Sequence, residues 1–398
     1  MRAPGSVREV VESGLCIGCG LCAALGPFEM AYTSEGRLRP RRTGPGDESA
    51  ILRACPGVVA EPNAERGPNI DMIWGAYHSI EEAWAADPDV RFRAATGGVL
   101  TALGMHLLRS GAAQFVLHCA ADPRAPARSR WVMSDTAAEV SARAGSRYGP
   151  TDTLAGLEAA LARAEPFAII AKPCDAGAIR ARAKDDPRID KYVVALLVMV
   201  CGGASDLGKV DATLREFDLV EDDVTLLRYR GHGNPGATRI ETHKGEVFEK
   251  TYQEMWGDET GWRIQSRCKV CPDALGEAAD LAAADIWPDA TPDGEDEGFN
   301  GVITRTAAGE ALFRDAVAAG ALCGGSTMSA EAFSQTQPHQ VRKKHNLAAR
   351  LRGMSAAGSA TYEHRDLRIP ALDHADLTEE TGTLDRVASG RFWEDMPE

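Results

Sequence analysis

"FAIIAKPCDAGAIRARA", residues 167–183, sets a short apolar run directly against a Pro-Cys turn and follows it with a helix-forming stretch. Phe, Ile and Ala in a block of five suit a buried strand, and the alanine-rich residues after Pro173 suit a helix. A second copy of the pattern follows at once. "KYVVALLVMVCGG" (191–203) is an apolar strand that ends in Cys201 and two glycines. Upstream, "VLTALGMHLLRSG" from Val99 has helical spacing and stops at Gly111, and "AAQFVLHCAA" (112–121) reads as a buried strand. "TDTLAGLEAALARAE" (151–165) reads as a helix, "SIEEAWAAD" (79–87) as a short helix, and "VRFRAATGG" (90–98) as a strand running into a glycine turn. Strands alternating with helices predict an α/β fold on a mainly parallel, mixed sheet, with ligand sites at the carboxyl ends of the strands.

Outward from this centre, residues 1–60 are dense in Cys, Gly, Pro and Arg and show little periodicity, as expected of a small module organised by a cofactor. "EPNAERGPN" (61–69) reads as linker. Beyond Val220 come the polar, strand-like pieces "VTLLRYRG" and "TRIETHKGEVFEKTY", α+β additions to the central unit. The tail from about 330 carries the basic stretch "QVRKKHNLAARLR" and is expected to form a helix with extended wrapping segments. The boundaries expected are 1–62, 63–165, 166–330 and 331–398.

Composition narrows the function. A hydrophobic content of 44% and a charged content of 26% are those of an ordinary globular protein. The net charge of -14 argues against sequence-independent nucleic-acid binding, which needs clustered cations to release counterions. No apolar run approaches the roughly 18–20 residues that span a bilayer. The first residues lack the apolar core of a signal peptide, so a cytoplasmic location is expected, where disulfides are rare. The ten cysteines then need another role.

"CIGCGLC" places Cys16, Cys19 and Cys22 at two-residue gaps, three thiolates of the four that a cubane iron–sulfur cluster needs. In a two-cluster ferredoxin run the fourth cysteine, followed by Pro, reaches the other cluster. Here Gly26-Pro27 stands in that place, and Cys55-Pro56 offers a remote ligand instead. A structural zinc site is the alternative for closely spaced cysteines. A second group is scattered: Cys174 and Cys201 past two strands that can be neighbours, and the C-x-x-C of Cys268 and Cys271. Spacing alone leaves open a four-thiolate site or two buried cysteines beside a zinc or redox pair. Cys119 and Cys323 are expected to pack as small hydrophobes.

Three glycine-rich loops could hold an organic ligand. Thr96, Gly97 and Gly98 precede a helix that carries Thr101, where backbone N–H groups and the helix dipole favour an anion such as a diphosphate. A plain turn fits the same residues. Gly145, Ser146, Arg147 and Tyr148 precede another helix, and "RYRGHGNPG" supplies Arg230 and His232. The acidic loop Asp289–Asn300 reads as a solvated turn, since its spacing matches no calcium loop.

In order and spacing, "CIGCGLC" with "CP", "ATGGVLTALGMHLLRSG", "GSRYGP", "AKPCDAGAIR", "VCGG", "RYRGHGNPG", "CKVCPD…ADLAAADIWPD" and "GFNGVITRTAAGEALF" make residues 10 to 350 resemble the family formed by the beta subunits of coenzyme F420 hydrogenases and dehydrogenases. That family includes 7-hydroxymethyl chlorophyll a reductase. The resemblance implies a ferredoxin-like [4Fe-4S] module followed by a flavin-binding domain. It implies two [4Fe-4S] clusters, one on Cys16, Cys19, Cys22 and Cys55 and one on Cys174, Cys201, Cys268 and Cys271. It implies FAD against Thr96, Gly97, Gly98, Thr101, Gly145, Ser146 and Tyr148, with Lys172 and Asp285 close by. Lys172 departs from the small residue or Thr usual before the Pro-Cys, and Ala284 from a usual Gly. The implied function is an iron–sulfur flavoprotein oxidoreductase. It would pass electrons from a one-electron donor such as ferredoxin to FAD and on to an organic, tetrapyrrole-like molecule. The alternatives are an F420-dependent oxidoreductase and an electron-entry subunit of a larger redox complex; a homo-oligomer is also compatible. The proton donor is not assigned, with His232 and Tyr148 as candidates.

Overall fold

The computed structural model describes residues 2–257, 263–287 and 296–372. Its centre is an eight-stranded sheet. The strands are β1 (Ser79–Ala85), β2 (Phe115–Asp122), β3 (Ala125–Ser134), β4 (Phe167–Ala171), β5 (Val193–Met199), β6 (Leu281–Asp285), β7 (Asn300–Thr304) and β8 (Leu322–Thr327). Their spatial order is β8-β1-β7-β6-β5-β4-β2-β3. Only the β6–β5, β5–β4 and β4–β2 pairs are parallel, and the rest are antiparallel. The sheet is mixed, as expected, but antiparallel pairs outnumber parallel ones, so it is not mainly parallel. The connections explain it: the helix Pro173–Ala183 carries β4 over to β5, whereas only Pro123 and Arg124 separate β2 from β3, too few for a crossover.

Two local readings are also corrected. Residues 79–85 form β1 rather than a helix, because β7 and β8 offer hydrogen-bonding edges on both sides. Residues 88–93 form a helix rather than a strand. Asp87 caps it by accepting from the Asp89 N–H, and Pro88 occupies its first turn. The helix Val99–Ser110 and strands β2, β4 and β5 lie where periodicity put them.

Apolar cores cover both faces. On one, the Phe115 and Phe167 rings stack with centroids 4.8 Å apart, and Leu154, Leu196 and Ile303 close around them. On the other, Leu103, Phe313 and Leu322 pack against Val116 and Leu281. A three-stranded sheet, Val224–Arg228, Thr238–Thr242 and Val247–Lys250, sits beside this body.

The first sixty residues form three short helices around the hairpin Phe28–Tyr32/Leu38–Arg42. This module docks tightly: the Leu154 N–H donates to the Cys19 carbonyl at 2.9 Å. Gly20 lies at φ +86°, with room for no side chain, since a Cβ would come 2.7 Å from the Ala155 nitrogen. The stretch 61–69 does not hang free as a linker. The Asn63 N–H donates to the Glu277 carbonyl at 2.9 Å and the Gly67 N–H to that of Arg305 at 3.1 Å. The tail contributes the long helix Pro338–Ala356, fixed by a buried Lys344–Glu277 ion pair of 2.7 Å. It then returns to the first module, where Glu363–His364 pairs with Val59–Ala60. Residues 373–398 lie outside the described residues, as does most of the acidic loop, 288–295.

The stacked core carries a stability consequence. Phe167→Ala should lower the unfolding free energy by about 3–5 kcal/mol, whereas Phe92→Ala, at a ring 55% exposed, should cost under about 1 kcal/mol. Urea unfolding followed by circular dichroism checks both.

Candidate functional site

Because β4, β5 and β6 run parallel, their carboxyl ends open on one edge of the sheet. A cavity of about 780 Å³ lies there. Thr96, Gly98, Thr101, Gly145, Ser146, Tyr148, Lys172, Cys201 and Asp285 all line it. Gly97 stands apart from its sequence neighbours: its carbonyl accepts from the Ala85 N–H at 2.7 Å, and a Cβ would meet Asn300 at 2.9 Å. It sits behind the wall rather than on it.

At the centre of the wall is Arg230, which is 2% exposed. It donates to Asp285 Oδ2 at 2.7 Å, the Tyr148 hydroxyl at 3.0 Å and the Pro235 carbonyl at 3.1 Å. The Thr96 hydroxyl donates to the other carboxylate oxygen of Asp285. Burial works against the Arg230 charge, but Tyr148 and Asp285 outweigh it and hold its pKa above the ordinary value. Burial raises the Tyr148 pKa against the opposing pull of Arg230, so its phenol stays protonated through the neutral range. Tyr148 also packs edge-on against Trp256, with centroids 4.5 Å apart. His232 does not reach this site. It packs against Phe92 at 5.4 Å, and burial followed by the Arg228, Arg93 and Arg239 charges lowers its pKa.

At the helix that opens with Val99, one amide is already engaged, the Val99 N–H with Asn300 Oδ1 at 3.2 Å. Lys172 lines the cavity with its ammonium committed to Thr151 (2.6 Å to the hydroxyl, 3.0 Å to the carbonyl) and to Asp175 at 2.9 Å. Burial disfavours that ammonium, yet Asp175 and Cys174 keep its pKa raised.

Cys16, Cys19, Cys22 and Cys55 line one small cavity of about 30 Å³. The Gly18 N–H approaches Cys16 Sγ at 3.4 Å, as a loop wrapped around sulfur requires. At Gly26, where a fourth consecutive cysteine would fall, a Cβ would come 2.8 Å from Ile51 Cδ1, so the Ile51 side chain would have to shift to admit one. The second group gathers through the backbone. The Cys201 N–H donates to the Ala274 carbonyl at 2.8 Å and the Ala204 N–H to Cys268 Sγ at 3.3 Å. Burial lifts the Cys201 thiol to about 12, with Cys268 and Cys271 adding to the effect. Burial and Asp175 likewise raise the Cys174 pKa, and Cys271 and Cys201 push it further. Among the described residues, no three His, Cys, Asp or Glu side chains converge closely enough to hold a single metal ion.

Arg267 joins the two groups. Its guanidinium, 2% exposed, donates to the carbonyl of Pro56, next to Cys55, at 2.7 Å and to that of Val270, next to Cys271, at 3.2 Å. It also lies over the Tyr362 ring at 4.6 Å. Cys119, expected only as filler, lines the large cavity.

Sequence reading missed one whole wall. His339, Arg342, Lys343, Asn346 and Arg350 of the long helix line the cavity, as do Arg143, Tyr252 and Trp256. The signal was present in the spacing of 339, 342, 343, 346 and 350, one stripe of a helix. The cavity counts seven Lys and Arg side chains and one carboxylate, Asp285, among its described lining.

The family model described as "Coenzyme F420 hydrogenase/dehydrogenase, beta subunit N-term" matches residues 80–158, and the corresponding C-terminal model matches 164–327, together more than half of the chain. The chain is 24% identical over 258 residues to a coenzyme F420 hydrogenase subunit beta of Methanothermobacter thermautotrophicus, covering 63% of this chain and 84% of that one. It is 20% identical over 321 residues to a subunit of the F420H2 dehydrogenase of Methanosarcina mazei, covering 78% and 84%. Its fold resembles a chain of the F420-reducing [NiFe] hydrogenase complex of Methanosarcina barkeri. The TM-score is 0.57 at 18% identity, over 74% of this chain and 98% of the other. Among the described residues no helix is long and apolar enough to cross a membrane.

Replacing Arg230 by Met removes the cation that Asp285 and Tyr148 share. The unfolding free energy should fall by about 3 kcal/mol, and Arg230→Lys should recover less than half of the loss, since one ammonium cannot reproduce the fork. A denaturant series on the three proteins checks this.

Proposed function

We propose that the chain, which belongs to the family of coenzyme F420 hydrogenase/dehydrogenase beta subunits, is an electron-transfer oxidoreductase that exchanges hydride with the deazaflavin F420 and works as part of a larger redox complex in the cytoplasm. FAD would occupy the large cavity, and two [4Fe-4S] clusters would sit on Cys16, Cys19, Cys22 and Cys55 and on Cys174, Cys201, Cys268 and Cys271. Residues 1–62 would serve as the cluster module, 63–165 and 166–330 as the flavin-holding body, and 331–398 as a C-terminal tail whose helix Pro338–Ala356 borders the cavity.

The observation that carries this reading is the convergence of two cysteine quartets from distant parts of the chain, the second bordering the large cavity through Cys201. The residues fit the groups. The cavity volume lies in the range of ordinary cofactor sites. Each set supplies four cysteines, the number of thiolates that a cubane of four irons takes.

Bound in these sites, FAD and the clusters supply conversion between hydride and single electrons. The chain's own part is placement. Arg230 fixes Asp285 and Tyr148 on the cavity wall, its charge matched by the Asp285 carboxylate. Tyr148 holds a proton at its phenol oxygen next to that wall. Lys172, occupied by Thr151 and Asp175, serves the same wall as a fixed ion pair rather than as a free ammonium. Arg267 sets a fixed cation between the two quartets, at hydrogen-bond distance from the carbonyls beside Cys55 and Cys271.

One observation favours a second reading. The first quartet lies outside the residues that match the family models, which supports an electron inlet carried on the same chain. A reductase fed by ferredoxin and acting on a conjugated organic molecule, tetrapyrrole-like in class, would use that inlet.

Protein prepared without air should hold about eight irons and one FAD per chain; fewer than about six irons would sink the two-cluster assignment. Cys55→Ala should remove about four irons and leave the flavin in place. Reduced F420 should bleach the bound flavin within the assay. Reduction by ferredoxin or dithionite but never by reduced F420 would transfer the assignment to the second reading.

A further inference from the structure

Four parallel strands in the order β6, β5, β4, β2 send their carboxyl ends to the edge of the sheet that carries the large cavity. Asp285 lines the cavity from β6, and His118 lines it from β2. Three strand spacings of about 4.8 Å separate these strands, so the two sides of the cavity lie roughly 14 Å apart. His118 follows the Leu117–Ile169 pair of the ladder, which sets it level with Ile170 near the end of β4. It is 6% exposed. Ile170 and Val140, both apolar, line the cavity with it.

The hydrogen bonds behind the ring assign its proton. His118 Nε2 lies 2.7 Å from the hydroxyl of Ser134, which stands on the neighbouring strand β3 and is wholly buried. Arg143 donates to the same hydroxyl oxygen, and a guanidinium can accept nothing in return. The one proton of the Ser134 hydroxyl therefore has His118 as its acceptor among the described residues. A proton on Nε2 would leave that buried hydroxyl hydrogen without a partner, which is costly. Nε2 accepts, and Nδ1 carries the ring proton. Burial, and after it the Arg143 charge, lower the His118 pKa to about 4 against the opposing pull of Glu139, so the ring is neutral through the neutral range. The Nδ1–H has no acceptor among the described residues, and the ring borders the cavity.

We propose that His118 is a ligand contact on the β2 side of the large cavity, its Nδ1–H donating to a carbonyl or hydroxyl oxygen of the bound molecule. Ser134 and Arg143 are positioning residues that act through the imidazole by fixing its tautomer. Such a site selects an oxygen acceptor at this point and rejects a ligand without one, because the buried donor would then be left unpaired. The oxygen can belong to the bound dinucleotide or to the second, hydride-exchanging ligand, and both cases rest on the function proposed above.

The test uses the full chain with its cofactors, comparing wild type with His118→Leu, Ser134→Ala and, as a control for loss of a buried imidazole that does not line the cavity, His106→Leu. Four readouts are taken: the dissociation constant of FAD, the absorption spectrum of the bound flavin, KM and kcat with reduced F420, and the melting temperature. His118→Leu should weaken one ligand by about tenfold. Ser134→Ala keeps the imidazole but frees its tautomer, and should weaken the same ligand by a smaller factor of about threefold. His106→Leu should lower the melting temperature and leave both ligands bound as in wild type. Weaker FAD binding with an altered flavin spectrum assigns the oxygen to the dinucleotide. FAD bound as in wild type, with a raised KM at unchanged kcat, assigns it to the second ligand. Unchanged FAD affinity and KM in His118→Leu overturn the contact, and where that variant does not fold the same result in Ser134→Ala overturns it. The function proposed above fails separately. A wild type that binds FAD without turning over F420 loses the F420 reading, and the FAD constant of the variants then decides the contact. A wild type that neither binds FAD nor turns over F420 overturns both.

Discussion

Parallel pairing of β4, β5 and β6 forces three strand ends onto one edge of the sheet, and nearly everything in the candidate site depends on that alignment. β4 ends in Lys172-Pro173-Cys174, β5 in Val200-Cys201 and β6 in Asp285. In parallel strands side chains just past the ends are neighbours in space although a hundred residues separate them in the chain. An antiparallel β5 would send Cys201 to the opposite edge of the sheet. The antiparallel flanks, β7, β1 and β8 on one side and β3 on the other, add width and burial without contributing a strand end of this kind.

Charge organises the second level. The chain is acidic as a whole, yet its interior carries buried cations at each junction: Arg230 on the cavity wall, Arg267 between the cysteine groups and Lys344 under the long helix. Each is held by groups that only the fold brings together. Arg267 takes carbonyls from residues 56 and 270, and Arg230 takes partners from 148, 235 and 285. A buried cation without such partners would cost several kcal/mol, so these residues report how firmly distant segments are pinned.

Much was legible in the sequence where local physics decides. Apolar blocks identified β2, β4 and β5, and helical spacing with Gly111 bounded the helix Val99–Ser110. The departures at 79–98 have two different causes. Whether "SIEEAWA" is helix or strand depended on the open edges of β7 and β8, which no local pattern contains. The Asp87-Pro88 cap, by contrast, is a local signal that marks the start of the helix at 88–93. Gly26 is instructive in another way. Its lack of a thiol had a sequence explanation in the remote Cys55, and a side chain there would also displace the end of Ile51.

The sequence by itself determined the element types of the central strands and helices, the cysteine spacing of the first module and the residue types available for anion binding. Those follow from periodicity and from the chemistry of single side chains. Tertiary structure alone decided the mixed order of the sheet, the burial of Arg230 and Arg267 between segments remote in sequence, and the turn of the helix Pro338–Ala356 toward the cavity. The physical reason is that each of these depends on which hydrogen-bonding edges and apolar faces meet. A basic helical stripe reads the same whether it faces solvent or a cavity, until the leucines on its other side find a core.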